Sequence, residues 1–215
     1  MNSASETTIL YLIRHGATTA NEQLPYILQG CSVDLPLSPT GRQQAEDVGR
    51  LLRDRRIDGV YASRLQRARE TAEQIAAPHG LSVETLAGIE ECDVGRWERL
   101  DWESIRATFP EAYQQFQDSP YETPYLGGES YRHVFERAWP VLTGLLERHR
   151  GETIAVVSHN VVNRVILTEL LGLDVHRAKE LRQVNGGVNV IQYRGGQASL
   201  LTYNALFHLR EYITI

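Results

Sequence analysis

The stretch ILYLIRHG, residues 9–16, decides how the rest of the chain is interpreted. Its first five residues are apolar, with β-branched and aromatic members, and this composition predicts a buried strand. The strand ends on Arg14, His15 and Gly16. In open α/β sheets ligands bind beyond the carboxyl ends of the strands, and glycine lets the backbone turn closely around a ligand. The triplet alone is equally compatible with a functional site and with an incidental surface histidine. The residues at the ends of the other predicted strands decide between these two interpretations.

A second predicted strand places an arginine at the same edge. Residues 59–62 have the pattern of a short buried strand, and Ser63 can cap the helix predicted over residues 64–77. Arg67 lies in the first turn of that helix, where backbone N–H groups already favour an anion. A lone arginine there is usually a surface charge, but this position makes Arg67 a candidate ligand for the pocket of His15.

A third strand ends on a histidine. Residues 153–158 are the clearest buried strand of the chain, and they stop on His159 and Asn160 before a helix predicted over residues 161–171. His159 thus repeats the placement of His15. Two guanidinium groups and two imidazoles converge with helix amino ends, which suits a doubly charged tetrahedral oxyanion such as phosphate.

Chain length and the alternation of elements predict the fold class. The 215 residues suffice for one sizeable domain, and no segment resembles a linker, so we expect a single domain over residues 1–215. Strands alternate with helices up to a hairpin predicted over residues 188–203. This order predicts a three-layer α/β/α sandwich with a mostly parallel central sheet. Within it, residues 101–116 are expected to form one helix, and residues 130–150 a helix kinked at Pro140.

Composition narrows the class of function. Hydrophobic residues make up 42% of the chain and charged residues 23%, as in ordinary globular proteins. The formal net charge of −5 argues against nucleic-acid binding, so a phosphate site must be a local positive patch on an acidic protein. Two cysteines and an N-terminus unlike a signal sequence favour a reducing, cytoplasmic setting. The apolar runs are too short to span a membrane.

The sequence lacks the motifs of several known phosphate-binding and hydrolytic sites. A cysteine phosphatase carries an arginine six residues after its cysteine, whereas Leu37 follows Cys31 and Glu98 follows Cys92 at that distance. The sequence also lacks a P-loop, an H-E-x-x-H zinc motif and a G-x-S-x-G nucleophile elbow. The histidines at the strand ends therefore remain the best candidates for the chemistry.

With these residues in place, the sequence resembles the histidine phosphatase superfamily, which has the phosphoglycerate-mutase-like fold. The resemblance extends from about residue 10 to residue 171, and several motifs in the right order make it specific. They are Arg14-His15-Gly16-Ala17-Thr18 with Asn21; Gln29-Gly30; Leu37-Ser38 with Gly41 and Gln44-Ala45; Ser63, Leu65, Arg67-Ala68 and Thr71-Ala72; Glu91 with Gly95, Trp97 and Glu98; Gly127-Gly128-Glu129-Ser130; and Ser158-His159.

The resemblance implies roles for five residues. His15 would take the phosphoryl group, while Arg14, Arg67 and His159 would hold its oxygens. Glu91 would protonate the leaving oxygen and then act as base for the water that hydrolyses phosphohistidine. A neutral imidazole can attack phosphorus only if its other nitrogen is held as a donor, and fixed cations must meet the charge on the transferring group.

The resemblance also implies the ligands of the site. Substrate binding would involve Asn21, Gln29, Gly30 and Asn160. Neither a metal nor another cofactor is required, since the arginines take the role of a magnesium ion. The implied partner is a small phosphorylated metabolite, with no nucleic acid and no membrane, and a homodimer formed through a sheet edge or a helix is compatible with this fold.

Departures from the family pattern concern the substrate end of the pocket. Asn160 stands where many relatives carry glycine, and Arg99 replaces the glycine of a Trp-Glu-Gly motif. Glu90 is a rival to Glu91 as the acid, although the spacing of Glu91 to Gly95 fits the family. The loop over residues 118–128 fits a lid over the site and an inert loop equally well.

Three functions are compared. A phosphatase is favoured over a cofactor-dependent phosphoglycerate mutase, because the segment between Glu91 and His159 is shorter than in such mutases. The stretch over residues 127–130 resembles phosphoserine and α-ribazole phosphatases. An inactive relative that only binds phosphorylated ligands is disfavoured, because the five residues with implied catalytic roles are all present.

Overall fold

The computed structural model describes residues 7–210, and within that range a six-stranded sheet forms the centre of the fold. The strands are β1 (Thr8–Arg14), β2 (Gly59–Ser63), β3 (Val83–Leu86), β4 (Thr153–Ser158), β5 (Val188–Arg194) and β6 (Gln197–Ala205). Their order across the sheet is β3-β2-β4-β1-β5-β6. The first four are parallel, whereas β5 runs antiparallel to β1 and pairs with β6 as the predicted hairpin.

Helices connect and cover the strands. They are α1 (Thr19–Glu22), α2 (Pro39–Leu52), α3 (Gln66–Ala76), α4 (Trp102–Thr108), α5 (Pro110–Asp118), α6 (Tyr131–Arg148) and α7 (Asn160–Leu170). The prediction of an α/β fold with helices flanking a mostly parallel central sheet is confirmed. Within residues 7–210, no helix combines the length and the apolar character needed to cross a membrane.

The strand β4 shows why the sheet is covered on both faces. Ile154 and Val156 belong to an apolar cluster that includes buried side chains of α6 and α7. Ala155 and Val157 belong to a second cluster, formed with α2 and α3. Successive side chains of a strand point to opposite faces, so an unbroken apolar run requires helices on both.

The first turn of α2 packs directly on the loop that follows β1. Ser38 caps the helix by accepting a hydrogen bond from the N–H of Gly41 at 2.9 Å, and Pro39 takes the first helical position. A Cβ atom on Gly41 would overlap the carbonyl oxygen of Ala17. The absent side chain therefore allows the helix to brace the loop that begins at His15.

The prediction of one continuous helix over residues 101–116 is wrong. The structure has two helices, α4 and α5, separated at Phe109, whose φ of −131° and ψ of 55° are not helical. Pro110 causes the break, because proline lacks an N–H and pushes the preceding residue out of the helical region. The helix α6, in contrast, passes through Pro140 as one element.

Candidate active site

His15 lies at the carboxyl end of β1 with its two ring nitrogens in different roles. Nδ1 is 2.6 Å from the carbonyl oxygen of Gly16. Because a carbonyl only accepts, Nδ1 carries the proton and donates it, and Nε2 keeps its lone pair. Burial, together with Arg67 and Arg14, holds the pKa of His15 well below its usual range. The ring is therefore neutral, with an unprotonated Nε2.

His159 stands directly beside His15, because β1 and β4 are neighbours and pair Arg14 with Ser158. The two imidazole centroids are 5.1 Å apart. Nε2 of His159 is 2.7 Å from the hydroxyl oxygen of Ser63. When that hydroxyl donates to Nε2, the proton of the neutral ring lies on Nδ1, which has no hydrogen-bond partner in the described part of the chain. His159 is fully buried, and its Nδ1 is the ring nitrogen that keeps an unused donor.

The two arginines are buried and held by backbone carbonyl groups. Arg14 donates from Nη1 to the carbonyl of Gln183 at 2.6 Å. Arg67 donates from Nη1 to Val33 at 3.0 Å and from Nη2 to Gly30 at 2.9 Å. Burial lowers the pKa of both groups, that of Arg14 to about 10. Nε of each arginine lacks a partner among residues 7–210, so both guanidinium groups keep donors for an anion.

Glu91, in the loop after β3, supplies the carboxylate of the site and contacts the amino end of α7. Its Oε2 accepts from the N–H of Asn160 at 3.0 Å and its Oε1 from the N–H of Val161 at 3.2 Å. Glu90 points elsewhere and forms an ion pair with Arg64 at 3.1 Å. Of the two candidate acids, only Glu91 lines the pocket that contains His15.

The predicted substrate-binding residues also line this pocket; they are Asn21, Gln29, Gly30 and Asn160. Oδ1 of Asn21 accepts from the N–H of Thr18 at 3.0 Å, which leaves its amide nitrogen for a ligand. Oε1 of Gln29 and Oδ1 of Asn160 are buried and have no partner within the described residues. Gly30 acts through its carbonyl group, which holds Arg67.

The pocket has a volume of about 140 Å³ and is lined by Arg14, His15, Arg67 and Glu91. His159 is not among the residues that line this pocket, although its ring centroid lies 5.1 Å from that of His15. A neighbouring cleft of about 640 Å³ shares Arg14 and other residues with it. Among residues 7–210, no group of three or more His, Cys, Asp or Glu side chains is placed to hold a metal ion.

The loop over residues 118–128 contributes Tyr125 to the wall of the pocket. Tyr125 is buried and packs against Trp97 and Phe116, with ring centroids 5.6 Å and 4.3 Å away. The N–H of Glu129, directly after the loop, donates to the carbonyl of Asp93 at 2.8 Å. These contacts attach the loop to the segment that follows Glu91, and Tyr125 itself lines the pocket.

A group of buried amide side chains that the sequence did not indicate holds Arg14 in place. Oε1 of Gln183 accepts from Nδ2 of Asn189 at 2.7 Å and from Nδ2 of Asn163 at 3.3 Å. Asn189 also donates to the carbonyl of Leu12 at 2.9 Å. The sheet topology explains why these residues lie near the site. Because β5 is antiparallel to β1, the segment before β5 lies at the carboxyl end of β1.

Arg137 on α6 is a second positioning residue that the sequence did not reveal. It donates to the carbonyl of Gly88 at 2.9 Å and to that of Glu91 at 3.1 Å, and it pairs with Glu129 at 2.7 Å. Glu129 in turn accepts from the N–H of Asp93 at 2.9 Å. The pair fixes the backbone on both sides of Glu91. Glu129 in the 127–130 motif is the sequence feature that could have indicated Arg137, since a carboxylate there needs a cation nearby.

Comparisons with known proteins agree with this geometry. The family model described as the histidine phosphatase superfamily (branch 1) matches residues 10–206. Phosphoserine phosphatase 1 of Hydrogenobacter thermophilus is 31% identical over 203 residues, which cover 94% of this chain and 95% of that protein. Phosphoglycerate mutase-like protein 4 of Arabidopsis thaliana is 32% identical over 206 residues, covering 94% and 87% respectively. The crystal structure of phosphoserine phosphatase from Entamoeba histolytica in complex with 3-phosphoglyceric acid is similar with a TM-score of 0.83 and 30% identity, over 94% of this chain and 99% of that one.

Proposed function

The chain belongs to the histidine phosphatase superfamily and is a phosphatase of small phosphomonoesters, and we propose that it works through a phosphohistidine formed on His15. The observation that carries this proposal is the state of His15. Its Nδ1–H is held by the carbonyl of Gly16, and its neutral ring faces a pocket that also contains two buried guanidinium groups. A neutral nitrogen nucleophile beside fixed positive charge suits attack on a phosphoryl group.

In the first step, Nε2 of His15 forms a bond to phosphorus while the bond from phosphorus to the leaving oxygen breaks. The proton of the Glu91 carboxyl group goes to that oxygen, so an alcohol leaves. Arg14, Arg67 and Nδ1–H of His159 stabilise the charge on the phosphoryl oxygens. The donors left unused in the structure, Nε of both arginines and Nδ1 of His159, support this assignment.

In the second step, the Glu91 carboxylate takes a proton from water, and the water oxygen attacks phosphorus. The bond between phosphorus and Nε2 of His15 breaks, which releases inorganic phosphate and restores the neutral imidazole. The two backbone hydrogen bonds at the start of α7 hold the carboxylate in one place for both transfers. Asn21, Gln29, Gly30 and Asn160 are proposed to bind the substrate around this centre.

Phosphoglycerate mutase activity is a second candidate, because a relative that is 32% identical bears the name phosphoglycerate mutase-like protein. A mutase would pass the phosphoryl group from His15 to a second hydroxyl group instead of to water. A protein that only binds phosphorylated ligands is disfavoured, because nucleophile, acid and both arginines are in place.

The number of domains and the cellular compartment are also part of the proposal. A single domain over residues 1–215 is supported by the family match over residues 10–206 and by the pairing of β1 with both β4 and β5. Cys31 and Cys92 are unpaired, which supports a reducing compartment such as the cytoplasm. A homodimer stays a prediction.

The decisive experiment measures phosphate release from p-nitrophenyl phosphate and a panel of small phosphomonoesters, in the presence of EDTA. We expect wild-type activity to persist in EDTA and His15→Ala to lower it by about 10³-fold or more, since the covalent step is lost. His176→Ala is the matched control, because His176 is exposed and lies outside the pocket.

Two further results would decide among the candidates. Label from radioactive substrate should remain on wild-type protein after alkaline denaturation and be lost in acid, as a phosphohistidine requires. Transfer between the 2- and 3-positions of phosphoglycerate without phosphate release would establish the mutase, and silence in both assays would leave only ligand binding.

A further inference from the structure

The cleft of about 640 Å³ beside the phosphoryl pocket has a lining that the reaction at His15 does not explain. Arg14 and Asn160 belong to both cavities, so a substrate whose phosphoryl group lies at His15 extends its alcohol part into the cleft. The chemistry of the cleft wall therefore indicates the chemistry of the leaving group.

The cleft is strongly positive. Arg164, Lys179 and Arg182 line it in addition to Arg14, and none of the described residues in its lining is an aspartate or a glutamate. The whole chain, in contrast, has a formal net charge of −5. Cations collected in a concave site on an acidic protein concentrate an anionic ligand there.

Two of these cations are held by neutral groups. Nε of Arg164 donates to the carbonyl of Leu181 at 3.0 Å, and Nζ of Lys179 donates to the carbonyl of Gln117 at 2.9 Å. A carbonyl orients a cation without cancelling its charge. Arg177, next to the same segment, differs, because it forms an ion pair with Glu180 at 2.8 Å.

Arg164 is placed to link the two cavities. It lies one helical turn after Asn160 on α7, and it lines both the phosphoryl pocket and the cleft. Lys179 and Arg182 come from the segment after α7 and line only the cleft. The positive charge thus extends from the reacting phosphorus outward along the path of the leaving group.

Resting on the phosphatase function proposed above, we propose that Arg164, Lys179 and Arg182 form a subsite for a second anionic group on the leaving alcohol. The preferred substrate is then a phosphomonoester whose alcohol part carries a carboxylate or a further phosphate. Trp102 and Tyr113 line the same cleft and provide apolar surface for the carbon skeleton between the two anions.

The first test compares two substrates that differ in one group: 3-phosphoglycerate carries a carboxylate where glycerol 3-phosphate carries a hydroxymethyl group. We expect kcat/KM for the acid to exceed that for the alcohol by about tenfold or more, as charge-assisted hydrogen bonds require. Propanediol bisphosphate, compared with propanediol monophosphate, tests whether a phosphate serves as the second anion. Equal kcat/KM values within both pairs would overturn the proposal.

The second test assigns the preference to the cleft. Lys179→Gln and Arg164→Gln should each lower the preference for the favoured anionic substrate over its neutral partner by about fivefold or more. The matched control is Arg177→Gln. Arg177 is an exposed cation on the same 3₁₀ helix as Lys179, Val175–Glu180, and its loss should leave the preference unchanged. A preference that survives in both cleft variants would overturn the assignment.

The two proposals fail in different ways. Hydrolysis of p-nitrophenyl phosphate without a preference for an anionic alcohol part would remove only the subsite. If no phosphomonoester is hydrolysed, the catalytic proposal falls, and calorimetry then tests the subsite with phosphonate analogues of the same substrates. Tighter binding of the anionic analogue by wild type than by Lys179→Gln would support the subsite, and equal binding would remove it.

Discussion

Glu91 caps helix α7 with its side chain, since its Oε2 accepts a hydrogen bond from the N–H of Asn160 at 3.0 Å. Glu91→Gln should keep one of the two backbone hydrogen bonds at the start of α7, because its amide oxygen still accepts, but it removes the proton that the leaving alcohol needs. We expect hydrolysis of alkyl phosphates to fall by about 10²- to 10⁴-fold. p-Nitrophenolate leaves without a proton, so this substrate should give a burst of product followed by slow hydrolysis of phosphohistidine.

Rapid-quench kinetics would show the burst, and Glu90→Gln provides the control. Glu90 is buried but lies outside the pocket, and a glutamine oxygen can still accept from the N–H of Gly88, so Glu90→Gln should change kcat by less than about threefold. An equal loss of alkyl phosphate and p-nitrophenyl phosphate hydrolysis in Glu91→Gln, without a burst, would contradict the acid role.

Stability should fall in acid because of two buried histidines. Burial and the nearby guanidinium groups hold the pKa of His15 and of His159 well below the usual range. The unfolded chain takes up these protons as the pH falls below about 6.5, whereas the folded chain does not. Their contribution to stability is therefore complete above that pH and is lost as the pH falls toward the lowered pKa values, by at most about 1.4 kcal/mol per pH unit for each histidine.

Urea unfolding at pH 7 and pH 5.5 would measure this effect. His159→Gln should show a smaller loss of unfolding free energy between the two pH values than wild type, while the exposed His176→Gln should match wild type. Identical losses in wild type and His159→Gln would show that His159 does not contribute.

Gln183 connects the stability of the interior to the function of Arg14. Gln183→Met keeps the size of the side chain but leaves the amides of Asn163 and Asn189 with one partner fewer. We expect unfolding free energy to fall by about 1–3 kcal/mol, the usual cost of unsatisfied buried polar groups. The carbonyl that holds Arg14 is expected to shift, so kcat/KM should fall by about tenfold or more.

Gln197→Met is the control, because Gln197 is exposed on β6. Chemical denaturation and steady-state kinetics on both variants measure the two effects together. If Gln183→Met is destabilised but keeps wild-type kcat/KM, the amide group supports the fold alone and does not position Arg14.

Two helical glycines should respond in opposite ways to alanine. A Cβ atom on Gly41 would overlap the carbonyl oxygen of Ala17, so Gly41→Ala should cost about 1–3 kcal/mol of unfolding free energy and displace the loop that begins at His15. A Cβ atom on Gly144 of α6 meets nothing within 4 Å. Gly144→Ala should therefore stabilise the protein by about 0.5–1 kcal/mol.

Thermal melts and p-nitrophenyl phosphate hydrolysis on both variants make the comparison. Gly41→Ala should lose activity as well as stability, because its neighbour is part of the active-site loop. Full activity in a destabilised Gly41→Ala would show that the contact between α2 and this loop does not position His15.

The strand ends made much of the site predictable from sequence. Arg14, His15 and His159 each follow an apolar run, and the carboxyl ends of parallel strands meet at one edge of a sheet. Arg67 was predictable because a helix begins directly after its strand. The single domain, the cytoplasmic setting and the homodimer are not tested by the fold and stay predictions.

What the sequence did not show depends on contacts between distant segments. Gln183 lies at the site only because β5 pairs antiparallel to β1. The sequence pattern of a hairpin does not reveal which strand of the sheet the hairpin pairs with. Arg137 on α6 meets Glu91 through a carbonyl group, and backbone acceptors leave no trace in composition. The break at Phe109, in contrast, was predictable from the sequence, because Pro110 disfavours a helical conformation at the residue before it. The prediction of one continuous helix relied on the spacing of apolar residues and gave Pro110 too little weight.

The pairing of β1 with β4 has a consequence for protein synthesis. The two histidines directly follow adjacent strands, but most of the chain is synthesised between them, so His15 leaves the ribosome long before His159 is made. During that interval β1 has neither of its neighbours in the sheet, which are β4 and β5. The catalytic pair is assembled late, when the central strands close, and enzymatic activity therefore reports on completion of the sheet.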